Sequence, residues 1–340
     1  MGEAGAYRNH AWVDIDLDAL SHNLKEIRRL AGTQSLCAVV KADAYGHGAV
    51  TCAHFFQEQG VPRLAVANIN EGLELRQAGI HVPILLLGWS PGDWAETIIH
   101  QELTATISSL WQGQILSQTA VKLGKPVRVH IKVDTGMNRI GFKPDKSSLH
   151  EILSINRLPA VIVEGIYTHL ALFFTADNRY STTQREAFLS FVKMLESEDL
   201  FIPLRHIANS AGLLDVSSEG FNLVRVGSAL YGLYPRTGVS RKQMDLQPVM
   251  SFRTVITHVK TVPAHEGISY GHTYITPTTR RIATIPVGYV DGITKIGSGK
   301  TEFLVRGKRV KQVGMICMDQ CMLDVSDVPE TAPGDPVVIF

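Results

Sequence analysis

At 340 residues, with a formal net charge of +1 and an isoelectric point near 7.8, the chain shows no electrostatic footprint for nucleic acid or an anionic membrane surface. Its length exceeds one ordinary core and predicts two domains, one large enough for a barrel of roughly 200–250 residues. A small neutral or zwitterionic ligand is the partner class that remains.

No N-terminal apolar segment suits a signal peptide, and no run of about 18 apolar residues suits a spanning helix. The four cysteines, Cys37, Cys52, Cys317 and Cys321, include no Cys-x-x-Cys pair. They read as reduced core residues of a soluble, cytoplasmic protein, and no metal site is expected.

Residues 11–16 alternate like a strand, and Asp18 can cap a helix whose apolar positions Leu20, Leu24, Ile27 and Leu30 recur at helical spacing until Gly32. A short β-branched run then ends on Lys41, followed by a small-residue turn and a helix over 49–56. A lysine where a buried strand surfaces is either a salt-bridged strand end or a reactive amine. The pattern repeats, with strands expected at 64–67, 84–87, 104–107, 127–133, 161–167, 206–208 and 223–226. Helices are expected at 71–78, 93–100, 110–123, 146–155 and 183–195, with short helical segments after the last two strands.

Counted from Leu36, eight strands alternate with helices, which predicts an α/β fold: a (β/α)8 TIM-like barrel, with an open doubly wound sheet as the alternative. Beyond Pro235 the grammar changes to short strands between glycine and proline turns, the mark of a smaller, mostly β C-terminal domain. The expected domains are 11–240 and 241–340, with the boundary in the polar stretch 236–247. Two motifs are set aside. Gly297-Ser298-Gly299-Lys300-Thr301 lacks the first glycine of a phosphate loop, which would fall at Thr294, and residues 14–18 lack the glycine and glutamate of a calcium loop.

In such barrels the chemistry sits where strands end. There the sequence places Lys41 and Tyr45; Asp134, Asn138 and Arg139; Thr168 and His169; Asn209 and Ser210; and Arg225, Gly227 and Ser228. Each has a plain structural explanation. Asn209-Ser210 can cap the next helix, Arg225 can pair with a surface carboxylate, and His169 can be a satisfied core histidine. As a set they suit a phosphate cradle around Ser210 and Gly227-Ser228, helped by Tyr45, with Lys41 across the rim free to condense with an aldehyde. That pairing fits pyridoxal 5'-phosphate, with Arg225 placed to meet the pyridine nitrogen.

The same stretches resemble the alanine racemases: residues 39–48 around Lys41 and Tyr45, 132–141 with Lys132 and Arg139, Thr168-His169, 208–212, 225–232, 269–274 with Tyr270, 287–292 with Tyr289, and 317–320 with Met318. The resemblance implies a pyridoxal-phosphate-dependent isomerase interconverting L- and D-alanine, supplying D-alanine for peptidoglycan. It implies that Lys41 and Tyr270 are the catalytic acid/base pair on opposite faces of the substrate, and that Tyr270 comes from the partner subunit of a homodimer. Cofactor contacts would come from Lys41, Tyr45, His169, Asn209, Ser210, Arg225, Gly227 and Ser228. Arg139 would bind the substrate carboxylate, Lys132 matches a lysine that the family often carries carbamylated, and Tyr289 and Met318 would line the substrate entrance. Asp43, Val226 and Val290 depart from the usual motif residues without touching the proton-transfer pair. The chain is also expected to stop before the family's last stretch, which bears on alanine versus serine preference. A serine or serine/alanine racemase is the nearest alternative reading. A non-catalytic pyridoxal-phosphate carrier lacks a β domain, and a barrel decarboxylase would offer the pyridine nitrogen an acid.

Overall fold

The computed structural model describes residues 10–172 and 179–340. Residues 17–249 form one compact unit, and residues 250–340 with the N-terminal segment form the other.

The first unit is the expected closed parallel barrel. Its strands are β2 (Ser35–Val39), β3 (Arg63–Val66), β4 (Ile84–Leu86), β5 (Leu103–Ile107), β6 (Val127–Lys132), β7 (Val161–Tyr167), β8 (Leu204–His206) and β9 (Leu223–Val226), and β9 closes on β2. They are almost wholly buried and rich in Val, Ile and Leu, as a sheet covered on both faces requires. The helices between them carry apolar stripes of the kind seen in Leu17–Ala31, which buries Leu20, Leu24 and Ile27. Among caps, Asn68, Ser109 and Asp145 accept from backbone N–H groups three residues on.

The second unit is an eight-stranded antiparallel sheet in the order Ala11–Ile15, Met250–Val255, Pro336–Val338, Glu302–Val305, Lys308–Val313, Cys321–Asp324, Arg280–Ile285 and His258–Val262. Its core is built on Ile285, Val287, Val305, Ile316, Leu323 and Val337.

Two boundaries differ from the expected 11–240 and 241–340. The strand Ala11–Ile15, here β1, pairs antiparallel with Met250–Val255 over five residues and so belongs to the second unit's sheet. Alternation alone says that a strand is half-buried, not which sheet receives it. At the other end, the polar stretch expected as a linker is stitched to the barrel. Asn23 Nδ2 donates to the carbonyls of Leu230 (3.0 Å) and Gln247 (2.8 Å), and the Gln247 N–H donates back to Asn23 Oδ1 (2.8 Å). The division therefore falls at Val249/Met250.

The barrel's first rim segment was not legible from residue preferences. Directly after β2, Ala42, Asp43, Ala44 and Tyr45 all adopt left-handed backbone conformations, with φ of 50°, 52°, 53° and 57°. Such a turn costs about 1–2 kcal/mol per non-glycine residue, so its surroundings must hold it. They do so by hydrogen bonding. Glu71 accepts from the Ala42 N–H at Oε1 (2.8 Å) and from the Ala67 N–H at Oε2 (2.6 Å). Asp43 Oδ1 accepts from the Ala49 N–H (2.6 Å), and His47 Nδ1 donates to the Ala44 carbonyl (3.0 Å). Glu71→Ala leaves two backbone donors without their acceptor at the point of greatest strain. The expected result is a loss of about 1–3 kcal/mol in denaturant unfolding of the barrel, with Glu71→Gln, which keeps one acceptor oxygen, losing less.

Candidate active site

The strand ends open onto a cavity of about 240 Å3 whose walls include Lys41, Tyr45, Lys132, Arg139, His169, Asn209, Ser210, Arg225, Gly227 and Ser228. Every rim residue assigned to cofactor or substrate in the first unit lines this one space. Tyr270, Tyr289 and Met318 belong to the second unit.

Register explains the assembly. The inward positions of neighbouring strands pair as Cys37 with Arg63 and Arg225, and as Lys132 with Tyr167 and Tyr167 with His206. Arg225 is therefore an interior residue, 3% exposed, and not the partner of a surface carboxylate. Its Nη1 donates to His206 Nδ1 (2.7 Å), and its Nη2 donates to the Thr168 carbonyl (2.9 Å), the Ile207 carbonyl (3.3 Å) and His169 Nδ1 (3.3 Å). The Tyr167 ring lies 4.9 Å from the guanidinium carbon. Among the described residues no carboxylate lies within ion-pair distance of it.

The phosphate-cradle expectation has a steric counterpart. A Cβ on Gly227 would lie 2.3 Å from Tyr45 Oη, so only glycine lets the backbone run under that phenol. Ser210 Oγ accepts from the N–H groups of Gly227 and Ala229, both at 3.3 Å, which gathers the ends of β8 and β9 into one polar cup. Tyr231, fully buried, supports Tyr45 from below: their rings are 5.3 Å apart, and Tyr231 Oη donates to the Val39 carbonyl (3.0 Å). Asn209 does what its structural explanation said, with Oδ1 accepting from the N–H groups of Ala211 (3.1 Å) and Gly212 (3.0 Å).

Opposite, Asp134 shapes the loop that carries Arg139. Its Oδ1 accepts from the N–H groups of Gly136 (3.0 Å) and Asn138 (2.9 Å), and Asn138 takes a left-handed φ of 55°. Arg139 projects from that loop as an exposed cation.

Crowding of positive charge dominates the electrostatics. Burial, reinforced by Arg225, Lys132, Arg139 and Lys41, pushes His169 down to about 3, so its imidazole is neutral. Burial, reinforced by Arg225 and Arg139, lowers Lys132 to about 7 against the opposing pull of Asp134. Lys132 Nζ lies 3.3 Å from the Val133 carbonyl and 5.1 Å from the Tyr167 ring centre.

In the second unit, Tyr270, Tyr289 and Met318 are 69%, 40% and 57% exposed. They share one loop cluster. Tyr289 and Val290 donate their N–H groups to the carbonyls of Cys317 (3.0 Å) and Met318 (2.9 Å), and Ser269 Oγ donates to the Met315 carbonyl (2.7 Å). A Cβ on Gly288 would sit 2.4 Å from two of those loop carbonyls.

Comparison with known proteins agrees with this geometry. The family models for the alanine racemase N-terminal and C-terminal domains match residues 15–235 and 249–340. The chain belongs to the alanine racemase family. It is 45% identical over 331 residues to the alanine racemase of Methanococcus maripaludis, covering 97% of this chain and 88% of that one. The alanine racemase of Clostridium perfringens is 41% identical over 329 residues, covering 97% and 85%. The solved alanine racemase of Clostridium difficile superposes with a TM-score of 0.94 at 38% identity, covering 98% of this chain and 88% of that one.

Alanine racemases depend on pyridoxal phosphate, and the residues present fit that group. A cup of backbone and hydroxyl groups stands at one wall, an amine at a strand end lines another, and a buried guanidinium bonded only to neutral acceptors lies between the strands. Sequence reasoning missed what supports them: Glu71 behind the left-handed turn, Tyr231 under Tyr45, and the inward His130, Glu164 and His206. Of these last three, Glu164 alone interrupts an otherwise apolar stretch, Val161–Tyr167, and that was the available signal; His130 and His206 lie in strands that also carry Arg128, Lys132 and Arg205.

Lys132 gives a pH prediction. The unfolded chain, with the ordinary lysine value of 10.5, holds a proton that the folded protein sheds near 7, so stability rises with pH across that window. In bicarbonate-free buffer, Lys132→Met should unfold later than the parent below about pH 7. Its advantage should shrink as pH rises toward 10.5, read from denaturation midpoints at several pH values.

Proposed function

We propose that this protein interconverts L- and D-alanine with pyridoxal 5'-phosphate held in the barrel mouth. We propose further that it works as a homodimer in the cytoplasm and supplies D-alanine to peptidoglycan. The observation that carries the reading is Lys41 on the same cavity as the Gly227 cup and the buried Arg225.

When bound, the cofactor supplies an aldehyde that condenses with amines and a ring that accepts electrons from the substrate's α-carbon. The chain's own residues do the rest. Tyr45 Oη, Ser210 Oγ and the Gly227-Ser228 backbone would hold the phosphate, with Asn209 fixing the turn that follows β8. Arg225, which can only donate, would meet the pyridine nitrogen and disfavour a proton there, because two positive groups would otherwise share a buried space. His169, neutral, orients the outer edge of that guanidinium. Arg139 binds the substrate carboxylate. A neutral Lys132 amine is the form that adds carbon dioxide, and as a carbamate it would exchange a repelled cation for an anion facing Arg139.

Racemisation needs a proton taken from one face of the α-carbon and returned to the other. Lys41 Nζ serves one face and the partner subunit's Tyr270 serves the other. The exposure of Tyr270, Tyr289 and Met318 together, in one tied loop cluster, supports their covering a neighbouring subunit's site.

The test is hydride trapping followed by peptide mapping, combined with loss of optical activity from L-alanine and L-serine. The expected outcome is one adduct, at Lys41, and faster loss from alanine than from serine. Tyr270→Phe should keep the adduct and lose about 10²–10⁴-fold in kcat. An adduct at any other residue ends the cofactor assignment, and a Tyr270→Phe variant with parental rates in both directions ends the two-base scheme.

A further inference from the structure

Under Arg225 the barrel interior holds a column of buried polar side chains where such barrels normally stack branched apolar ones. His206 Nε2 lies 2.8 Å from His130 Nδ1, and His130 Nε2 lies 3.2 Å from Glu164 Oε1. Glu164 also meets Arg63 Nη1 (2.7 Å), Arg128 Nη1 (3.4 Å) and Thr104 Oγ1 (3.3 Å). Both imidazoles are fully buried, and Tyr167 stacks on His206 at 4.7 Å with rings 6° from parallel.

Two backbone features build this column. The β6–β7 register slips between Val129 and His130, which pair with Val163 and Gly165, so Glu164 is the extra residue of a bulge. A bulge re-aims its side chain, and here it turns the carboxylate to the interior side that alternation would deny it. Next to it, a Cβ on Gly165 would sit 2.5 Å from the His130 ring, so glycine makes the room that ring occupies.

The two ends fix the direction of every bond. A guanidinium only donates, and an ionised carboxylate only accepts. Burial works against the Glu164 charge, but the bond from His130 and the charge of Arg63 outweigh it and hold the carboxyl at about 2. Each imidazole between them has one donor and one acceptor when neutral. Burial favours the neutral form of both, pushing His130 down against the opposing bond to Glu164 and His206 well below its ordinary value, with Arg225 and Arg63 adding to both shifts. One arrangement satisfies all four groups: Arg225 donates to His206 Nδ1, His206 Nε2–H donates to His130 Nδ1, and His130 Nε2–H donates to Glu164.

We propose that Glu164 is a positioning residue for this site: through His130 and His206 it fixes the tautomer that accepts from Arg225, and so the orientation of a guanidinium whose cavity it does not line. This rests on the reading above that Arg225 faces the cofactor ring. If Glu164 ceased to be a pure acceptor, His130 could carry its proton on Nδ1. His206 would then carry its own on Nδ1 as well, and two donors would face each other at Arg225.

The test uses the full chain as purified, labelled with 15N-histidine, with the two signals assigned by His130→Phe and His206→Phe. In the parent protein both imidazoles should be neutral and protonated on Nε2, and should not titrate across the pH range in which the fold is stable. Glu164→Gln should change the tautomer or the titration of His206 and shift the absorbance of the bound cofactor. Its kcat should fall about tenfold or more, as loss of outer-shell partners does at other buried sites, with KM within about twofold. A parent spectrum showing His206 protonated on Nδ1 or doubly protonated overturns the proposal, as does a folded Glu164→Gln protein with unchanged His206 signals and absorbance. If Glu164→Gln does not fold, the parent spectrum decides. A hydride adduct away from Lys41 would remove the cofactor reading by a separate measurement and leave the imidazole result standing.

Discussion

A buried cation with no carboxylate beside it among the described residues is the constraint on which the rest of this barrel turns. Arg225 is interior, and every group it donates to is neutral: an imidazole nitrogen of His206, one of His169, and the carbonyls of Thr168 and Ile207. Burying a charge this way is costly unless its donors are satisfied. Satisfying them has specified much of the surrounding sequence, from His206 and His130 to the bulge at Glu164 and the bare backbone of Gly165. The opposite charge stands two imidazoles away, near enough to orient hydrogen bonds and too far to quench the guanidinium directly.

The other side of the site shows the same exchange of local cost for placement. Four successive left-handed residues bring Tyr45 back over Gly227 immediately after Lys41 leaves its strand. A right-handed continuation would carry the chain away from the cup. The turn is held by carboxylates from elsewhere in the chain and within it, Glu71 and Asp43, which occupy backbone donors that no regular element satisfies. Amine and phenol are thus positioned by one short segment, which removes a source of relative motion between them.

The large features were legible because they are periodic. Eight short, mostly apolar strands spaced by helical stripes describe a covered parallel sheet, and the rim residues followed from knowing at which end such strands do chemistry. What escaped was set by contacts between distant residues. The pairing of Ala11–Ile15 with Met250–Val255 leaves no local trace in either strand. The residues at 42–45 are Ala, Asp, Ala and Tyr, none of which announces a left-handed turn as glycine would. Asn209 illustrates the converse, since its local role as a turn cap was the one the structure displays, alongside its place on the cavity wall. Glu164 was visible as a polar interruption of an apolar strand, while His130 and His206 share theirs with arginines and a lysine. Only the register, slipped by one residue between β6 and β7, shows that they meet.

The electrostatics of the cavity connect these parts. Lys41, Lys132, Arg139 and Arg225 line it, and His169 among them is driven to its neutral form. A space so charged favours ligands bearing a phosphate and a carboxylate, because each anion that enters relieves repulsion already present in the folded protein. The same repulsion acts unequally on the residents. Arg225 keeps its charge because Nη1 and Nη2 are held by neutral acceptors and guanidinium is the weaker acid. Lys132, with a carbonyl and an aromatic face for neighbours, yields its proton near neutrality. One crowded field thus leaves a fixed cation at Arg225 and, at Lys132, an amine that loses its proton near neutrality under the charge of Arg225 and Arg139.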